Sequence, residues 1–173
     1  MRELQIKYGL AMDMPEDKRA GYYAQIVKAL AGKASVFDRD KELLIFSTLL
    51  ERDEAKPIMR QYNIPYEEMD LLLLPSGVRT HPSFDDYGFI TRLENPYLYA
   101  DMTVVCKLKK PEEPSGRPYE PEQAEAQLEE HLLADWSSAD ESGSVYTLEK
   151  QHAELAEGIA RAYGCKIEWT YGP

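Results

Sequence analysis

Cysteine is scarce in this chain: two residues in 173, Cys106 and Cys165, lying 59 positions apart. That excludes the multi-bridge framework of small secreted domains, and no C-x-x-C or paired Cys/His spacing points to zinc. No run approaches the ~20 consecutive apolar residues that span a bilayer. The opening MRELQIKYGLAMD has no basic stretch leading into the hydrophobic segment of a signal peptide. A cytoplasmic chain with no membrane partner is the expectation. The patterns G-x-x-x-x-G-K-[ST], G-x-G-x-x-G and G-x-S-x-G are all missing, so nucleotide-dependent and esterase-type chemistry lacks its usual signatures, and no cofactor or metal is expected.

Positive charge is in short supply, but only toward one end. The chain has 20 Lys plus Arg against 31 Asp plus Glu, a net charge of -11. Residues 111–173 hold 14 of the acids and only four of the bases, so they carry -10, and residues 1–110 carry -1. Between 111 and 149 only Arg117 opposes eleven carboxylates. Such a stretch projects a negative field over roughly a Debye length, ~8 Å at physiological salt, and repels nucleic acid. It suits either a solubilising helix face or a docking face for a basic protein, with Glu122, Glu125, Glu129, Glu130 and Trp136 as the contact residues.

What the chain does have is apolar material, 43% of its residues, and 12 tyrosines. A chain of this length can bury roughly 70% of its unfolded surface, so a folded core follows. Leu4, Ile6, Tyr8 and Leu10 alternate with polar residues, the period of a strand with one buried face. Pro15, Glu16 and Asp17 suit a helix start, and Ala20, Tyr23, Ala24, Val27, Leu30 and Ala31 form a stripe that Gly32 ends. Residues 34–37 and 42–48 read as two strands across the polar tetrad Asp38–Lys41. Thr48-x-x-Glu51 matches a capping box, although Pro57 makes a helix start nearer Asp53 equally compatible. Residues 69–74 (MDLLLL) read as a buried strand. The order β-α-β-β-α-β within about 75 residues is that of a ferredoxin-like split βαβ unit with an antiparallel sheet.

Beyond residue 75 the reading is a polar loop (75–86), a hairpin with arms 87–94 and 97–109, and a proline-rich connector, 109–120. A third helix opens at Pro121, with Ala124, Leu128, Leu132 and Trp136 on one face. Val145 and Tyr146 suggest a short strand, Thr147 caps a fourth helix carrying Leu148, Leu155, Ile159, Ala162 and Tyr163 inward, and a last strand alternates from Cys165 to Tyr171. The fold class is α+β, mainly antiparallel, with about four helices. An α+β core, 1–110, carries an acidic extension, 111–173, packed on the same core.

The loop with Arg79, His81, Asp85, Asp86 and Tyr87 gathers a cation, an imidazole and carboxylates on an irregular connection, where sites often lie. His81 can serve as a base, Asp85 or Asp86 can orient it, and Arg79 can hold an anion; ordinary turn chemistry explains the same residues. His131 and Asp135 are spaced to meet on a helix face. His152 lies on the apolar side of helix four, and both cysteines fall on inward strand faces. The leading expectation is a non-catalytic acidic module of the inhibitor, adaptor or immunity type, meeting a basic protein partner. A small enzyme built on the 75–87 loop and a small-molecule sensor are the alternatives. Sheet edges leave a homodimer open without specifying one.

Overall fold

Alternation at the start of the chain becomes strand β1, Gln5–Met12, and the next elements are helix α1 (Arg19–Leu30), β2 (Val36–Asp40), β3 (Leu43–Phe46), α2 (Leu49–Gln61) and β4 (Tyr66–Leu73). The computed structural model describes residues 3–173, with side chains for all but 18–20. The chain continues through β5 (Arg79–Thr80), α3 (Phe84–Tyr87), β6 (Gly88–Ile90), β7 (Pro96–Tyr99), β8 (Thr103–Lys109), α4 (Pro121–Leu128), β9 (Leu132–Ser137), β10 (Ser144–Glu149), α5 (Ala153–Ala162) and β11 (Lys166–Tyr171). The class is α+β with mostly antiparallel sheet and five α-helices among the described residues.

Packing divides the chain into two units. The first is Gln5–Leu73 with Ile90–Tyr97; the second holds Leu74–Phe89 and Leu98–Pro173, together with the residues just before Gln5. In the first, the strand order β2-β3-β1-β4 has antiparallel neighbours at all three junctions. The sheet continues into β7 and β6, so it is six-stranded instead of the four-stranded ferredoxin-like sheet the first 75 residues suggest.

Its core joins Leu10, Leu44 and Phe46 of the sheet to Ile26 and Leu30 of α1 and Ala55, Ile58 and Met59 of α2. The buried stripe of α1 is rotated from the expected one: Ile26 and Leu30 are buried with Tyr22, Tyr23 and Ala29 beside them, and Val27 is exposed. The side chain of Ala20 lies outside the described set. Burying Tyr22 and Ile26 removes more apolar area from water than burying Ala24 and Ala31. Helix α2 does start at the capping box: Glu51 N–H donates to Thr48 Oγ1 at 3.1 Å, and Pro57 is accommodated inside the helix.

The second unit carries a five-stranded sheet, β11-β8-β10-β9-β5. Val104 and Cys106 of β8, Leu132 of β9, and Tyr146 and Leu148 of β10 meet Ala124 and Leu128 of α4 and Ala156 and Ala160 of α5. Two helix expectations fail here. Helix α4 stops at Leu128, a 3-10 turn covers 129–131, and Leu132–Ser137 is strand. A spacing of four, as in Leu128, Leu132 and Trp136, satisfies both a helical stripe and a strand's alternation, and the sheet wins because Leu132, Ala134 and Trp136 are all buried in it.

Thr147 is likewise no helix cap. It is fully buried at a bulge in β10, where its hydroxyl accepts from Ala134 N–H and donates to Ala134 O, both at 2.9 Å. The proline-rich connector lies inside this unit and is fixed to the end of α5. Glu120 N–H donates to Tyr163 O at 2.9 Å, and Arg117 Nη1 to Ala162 O at 3.3 Å. Gly164, at φ 66°, has no substitute here, because a Cβ would come within 2.2 Å of Pro118 O.

Candidate functional site

The loop expected to be irregular contains a strand, and that strand builds the most chemically loaded cluster of the second unit. β5 pairs antiparallel with β9 so that Arg79 faces Asp135, and paired residues project on one side of a sheet. His81, two residues on, is held by its N–H donating to Leu133 O at 3.0 Å. Three contacts converge on Asp135 Oδ2: Arg79 Nε at 3.2 Å, Arg79 Nη2 at 3.0 Å and His81 Nε2 at 2.6 Å. Arg79 Nη1 lies 3.2 Å from Glu129 Oε1. The hydrogen bond to Asp135 is the main reason the Arg79 guanidinium is held above its ordinary range. His81 and Asp135 are nearly covered, with side chains 10% and 15% exposed, whereas Arg79 lies in the open.

Beside them, Tyr87 donates its hydroxyl to Glu149 Oε2 at 2.5 Å, and this bond raises its phenol. His152 Nε2 is 3.7 Å from Glu149 Oε1, and the His152 ring sits edge-on to His131 with centroids 5.0 Å apart. His152 does not lie along the helix as expected; it is the residue just before α5, and its Nδ1 is buried without a partner. His131 and Asp135 share no helix, because Asp135 is on a strand. Asp85 and Asp86 are exposed on the short helix α3.

Chemically, the cluster can position an imidazole against a carboxylate, the first requirement of a general base. Its anion clamp is largely engaged, however. All three nitrogens of Arg79 are directed at Asp135 or Glu129, which leaves only two of its five N–H donors for a substrate. The arrangement is well suited to fastening the two-residue edge strand β5 to β9. Among the described residues no group of three or more His, Cys, Asp or Glu is placed to hold a metal ion. The thiols offer no nucleophile: burial pushes Cys106 up to about 12, and burial is also what raises Cys165.

No known family model matches the chain, and neither a curated protein nor a solved structure matches it. No helix among the described residues is long and apolar enough to cross a membrane.

The eleven carboxylates between 111 and 149 fall into two groups. Asp135, Glu149 and Glu129 are engaged as above. Glu125 Oε2 accepts from Tyr146 OH at 2.8 Å, and Asp140 is held below the usual carboxylate range by Ser142 and Ser138. Glu112, Glu113, Glu120, Glu122, Glu130 and Glu141 are exposed and make no ion pair within the described residues. Arg117, the one base in the stretch, is turned to the carbonyl of Ala162. Trp136 is only 8% exposed, so the aromatic that this stretch offers to solvent is Tyr119, at 42%. The internal partners of Asp135, Glu149 and Glu125 were hidden in the sequence because they lie on distant elements: at β5, on α3 and on β10. One signal was available: a tyrosine or arginine in each partner segment.

Proposed function

We propose that the chain is a non-catalytic interaction module whose face 112–130 docks a basic protein segment. The observation that carries this reading is the division among the carboxylates. Asp135, Glu129, Glu149 and Glu125 are matched by Arg79, His81, Tyr87 and Tyr146, whereas Glu112, Glu113, Glu120, Glu122 and Glu130 are exposed with no cation in ion-pair distance among the described residues. Exposed like charges left unmatched speed the encounter with an oppositely charged partner, and Tyr119 adds an amphipathic ring of the kind enriched at binding hot spots.

A lysine-rich decapeptide, titrated at low and high salt, tests it. Binding should be strongest near ~0.05 M salt and fall steeply toward ~0.5 M as the Debye length shortens. The triple variant Glu120→Lys, Glu122→Lys, Glu130→Lys should lose this binding. A charge-matched control, Glu54→Lys, Glu67→Lys, Glu168→Lys, changes exposed carboxylates elsewhere and should keep it. Equal losses in the two variants would reduce the effect to net charge and overturn the docking face.

A small enzyme using His81 is the second reading, favoured by the 2.6 Å contact between His81 and Asp135. It ranks lower because the cation that would hold a substrate already belongs to Asp135 and Glu129.

A further inference from the structure

Residues 111–173 contain four bases among 14 acids, yet three of those bases, Arg117, Arg161 and Lys166, line one cleft of about 820 Å³. They reach it from three different segments: the proline-rich connector, helix α5 and strand β11. All three are exposed and, among the described residues, none is matched by a carboxylate within ion-pair distance; the one hydrogen bond given by their side chains there is Arg117 Nη1 on the Ala162 carbonyl. That contact also satisfies a backbone oxygen at the negative end of α5, which would otherwise oppose an anion. The carboxylate that lines the cleft, Glu157, has its Oε1 taken by Trp169 Nε1 at 3.0 Å.

An independent feature is the glycine in the middle of α5. A helix-interior glycine costs about 0.5–1 kcal/mol relative to alanine, so its place needs a reason. Gly158 lines the same cleft, and a Cβ added there would lie 3.9 Å from Arg161 Nη2. The glycine leaves the helix backbone bare beside the guanidinium, where a ligand can approach both. Ser115, whose Oγ takes only a 3.3 Å contact from Arg117 N–H and gives a 3.4 Å one to Arg117 O, adds a hydroxyl at the rim.

We infer that this cleft is a binding site for a small phosphate-bearing molecule, held by the guanidinium groups of Arg117 and Arg161 and the ammonium of Lys166. Planar guanidinium pairs match phosphate oxygens two at a time, and the cleft volume falls in the range of small-molecule sites. The surrounding charge limits the size of the ligand. Glu112, Glu113, Glu154 and Glu168 are exposed nearby in the chain, and a long polyanion such as nucleic acid would have to run past them. A compact anion meets the three cations with a single carboxylate, Glu157, in the lining. Cys165 lines the cleft as a covered thiol and takes no chemical part. Ser115 and Arg117 lie within the segment 112–130, but this site takes an anion and that face a cation, so the pyrophosphate and decapeptide titrations can fail independently.

The test is an amide NMR titration of the full chain with sodium pyrophosphate, at constant ionic strength of about 0.1 M held with chloride. Saturable shifts should concentrate at 115–117, 157–162 and 165–167. Arg161→Gln and Lys166→Gln should each weaken the apparent Kd about fivefold, as expected for the loss of one charge-assisted contact. Lys150→Gln removes the fourth base of the region, which does not line the cleft, and should leave the Kd unchanged. Gly158→Val should weaken binding with all three cations in place; the Gln variants, at exposed positions, keep the question open to test if Gly158→Val loses its fold. Shifts that never saturate, that spread over all cationic residues, or that Lys150→Gln diminishes equally would overturn the site. So would tighter binding of a thymidine oligonucleotide than of pyrophosphate.

Discussion

The two units solve the same problem, a carboxyl group at a sheet, in opposite ways. In the first unit Asp38 is 4% exposed and is met entirely by uncharged donors. Its Oδ2 accepts from Thr91 Oγ1 and Asn95 Nδ2 at 2.8 Å and from Tyr97 OH at 2.9 Å, and its Oδ1 accepts from Arg39 N–H at 2.8 Å. In the second unit Asp135 is met by a guanidinium and an imidazole at a half-open edge. Four donors and no acceptor suit a carboxylate without importing a second charge whose desolvation must be offset, whereas a rim pair keeps its cation hydrated. The first is therefore a fold-closing lock. Thr91–Asn95 form a turn of their own, with Thr91 N–H on Asn95 O at 3.0 Å and Glu94 at φ 65°, and Asp38 ties that turn to β2. The second fastens a strand two residues long.

The largest expected effect breaks the lock. Asp38→Ala leaves four buried or half-buried donors without an acceptor and should cost about 3 kcal/mol, read as a lowered urea midpoint. Tyr97→Phe deletes one hydrogen bond to a charged-type acceptor and keeps the packing, so about 1.5 kcal/mol is expected. Equal stability of Asp38→Ala and the parent chain would show that the donors find water, and the contrast with Asp135 would disappear.

Alkaline pH gives an intermediate effect that both units share. Tyr97 and Tyr146 have phenols raised above the ordinary value of 10.0, first by burial and then by hydrogen bonds to Asp38 and Glu125. An unfolded tyrosine ionises near 10 while the folded one stays protonated, so the unfolded state binds fewer protons above that pH. Stability should be flat below pH ~10 and fall above it, by the linkage between proton binding and folding. Tyr97→Phe and Tyr146→Phe should each flatten the fall, which denaturant titrations between pH 8 and 11 would read. An unchanged slope in both variants would mean that these hydroxyls ionise as freely folded as unfolded.

Much of the first unit was legible in the sequence, since β1, α1, α2 and β4 announce themselves by period and caps. Asp38 was not. It sits in Asp38-Arg39-Asp40-Lys41, which reads as a polar turn, but β2 runs through Asp40 and the turn falls at Lys41, φ 53°. A bulge between Val36 and Asp38 sends Phe37 outward, 40% exposed, and Asp38 inward, an inversion no alternation rule can foresee. Farther along, Leu132 and Leu148 fit a helix and a strand equally well, and only sheet pairing decided them. The sequence named Arg79 and His81 as neighbours of interest, and gave Asp85 and Asp86 as their carboxylates. The partner is Asp135, 54 residues beyond His81, because strand pairing brings together what spacing cannot. The cationic cleft was readable only as a count of four bases; their convergence depends on how the connector folds onto α5.

The smallest expected effect sharpens the comparison by salt. Asp135→Asn keeps the shape of the side chain and a carbonyl oxygen that can serve Arg79 or His81, and it removes the charge and one acceptor oxygen. Exposed ion pairs contribute little and are screened, so its destabilisation should be less than half that of Asp38→Ala and should shrink between ~0.05 M and ~1 M NaCl. The Asp38→Asn variant loses an acceptor inside the protein, beyond the reach of mobile ions, so its penalty should hold steady across the same range. Urea midpoints of the two variants, each taken against the parent chain at both salt concentrations, supply the comparison. If salt moves both penalties together, solvent reaches Asp38 as readily as Asp135, and the division between an uncharged interior lock and an ionic rim fastening is lost.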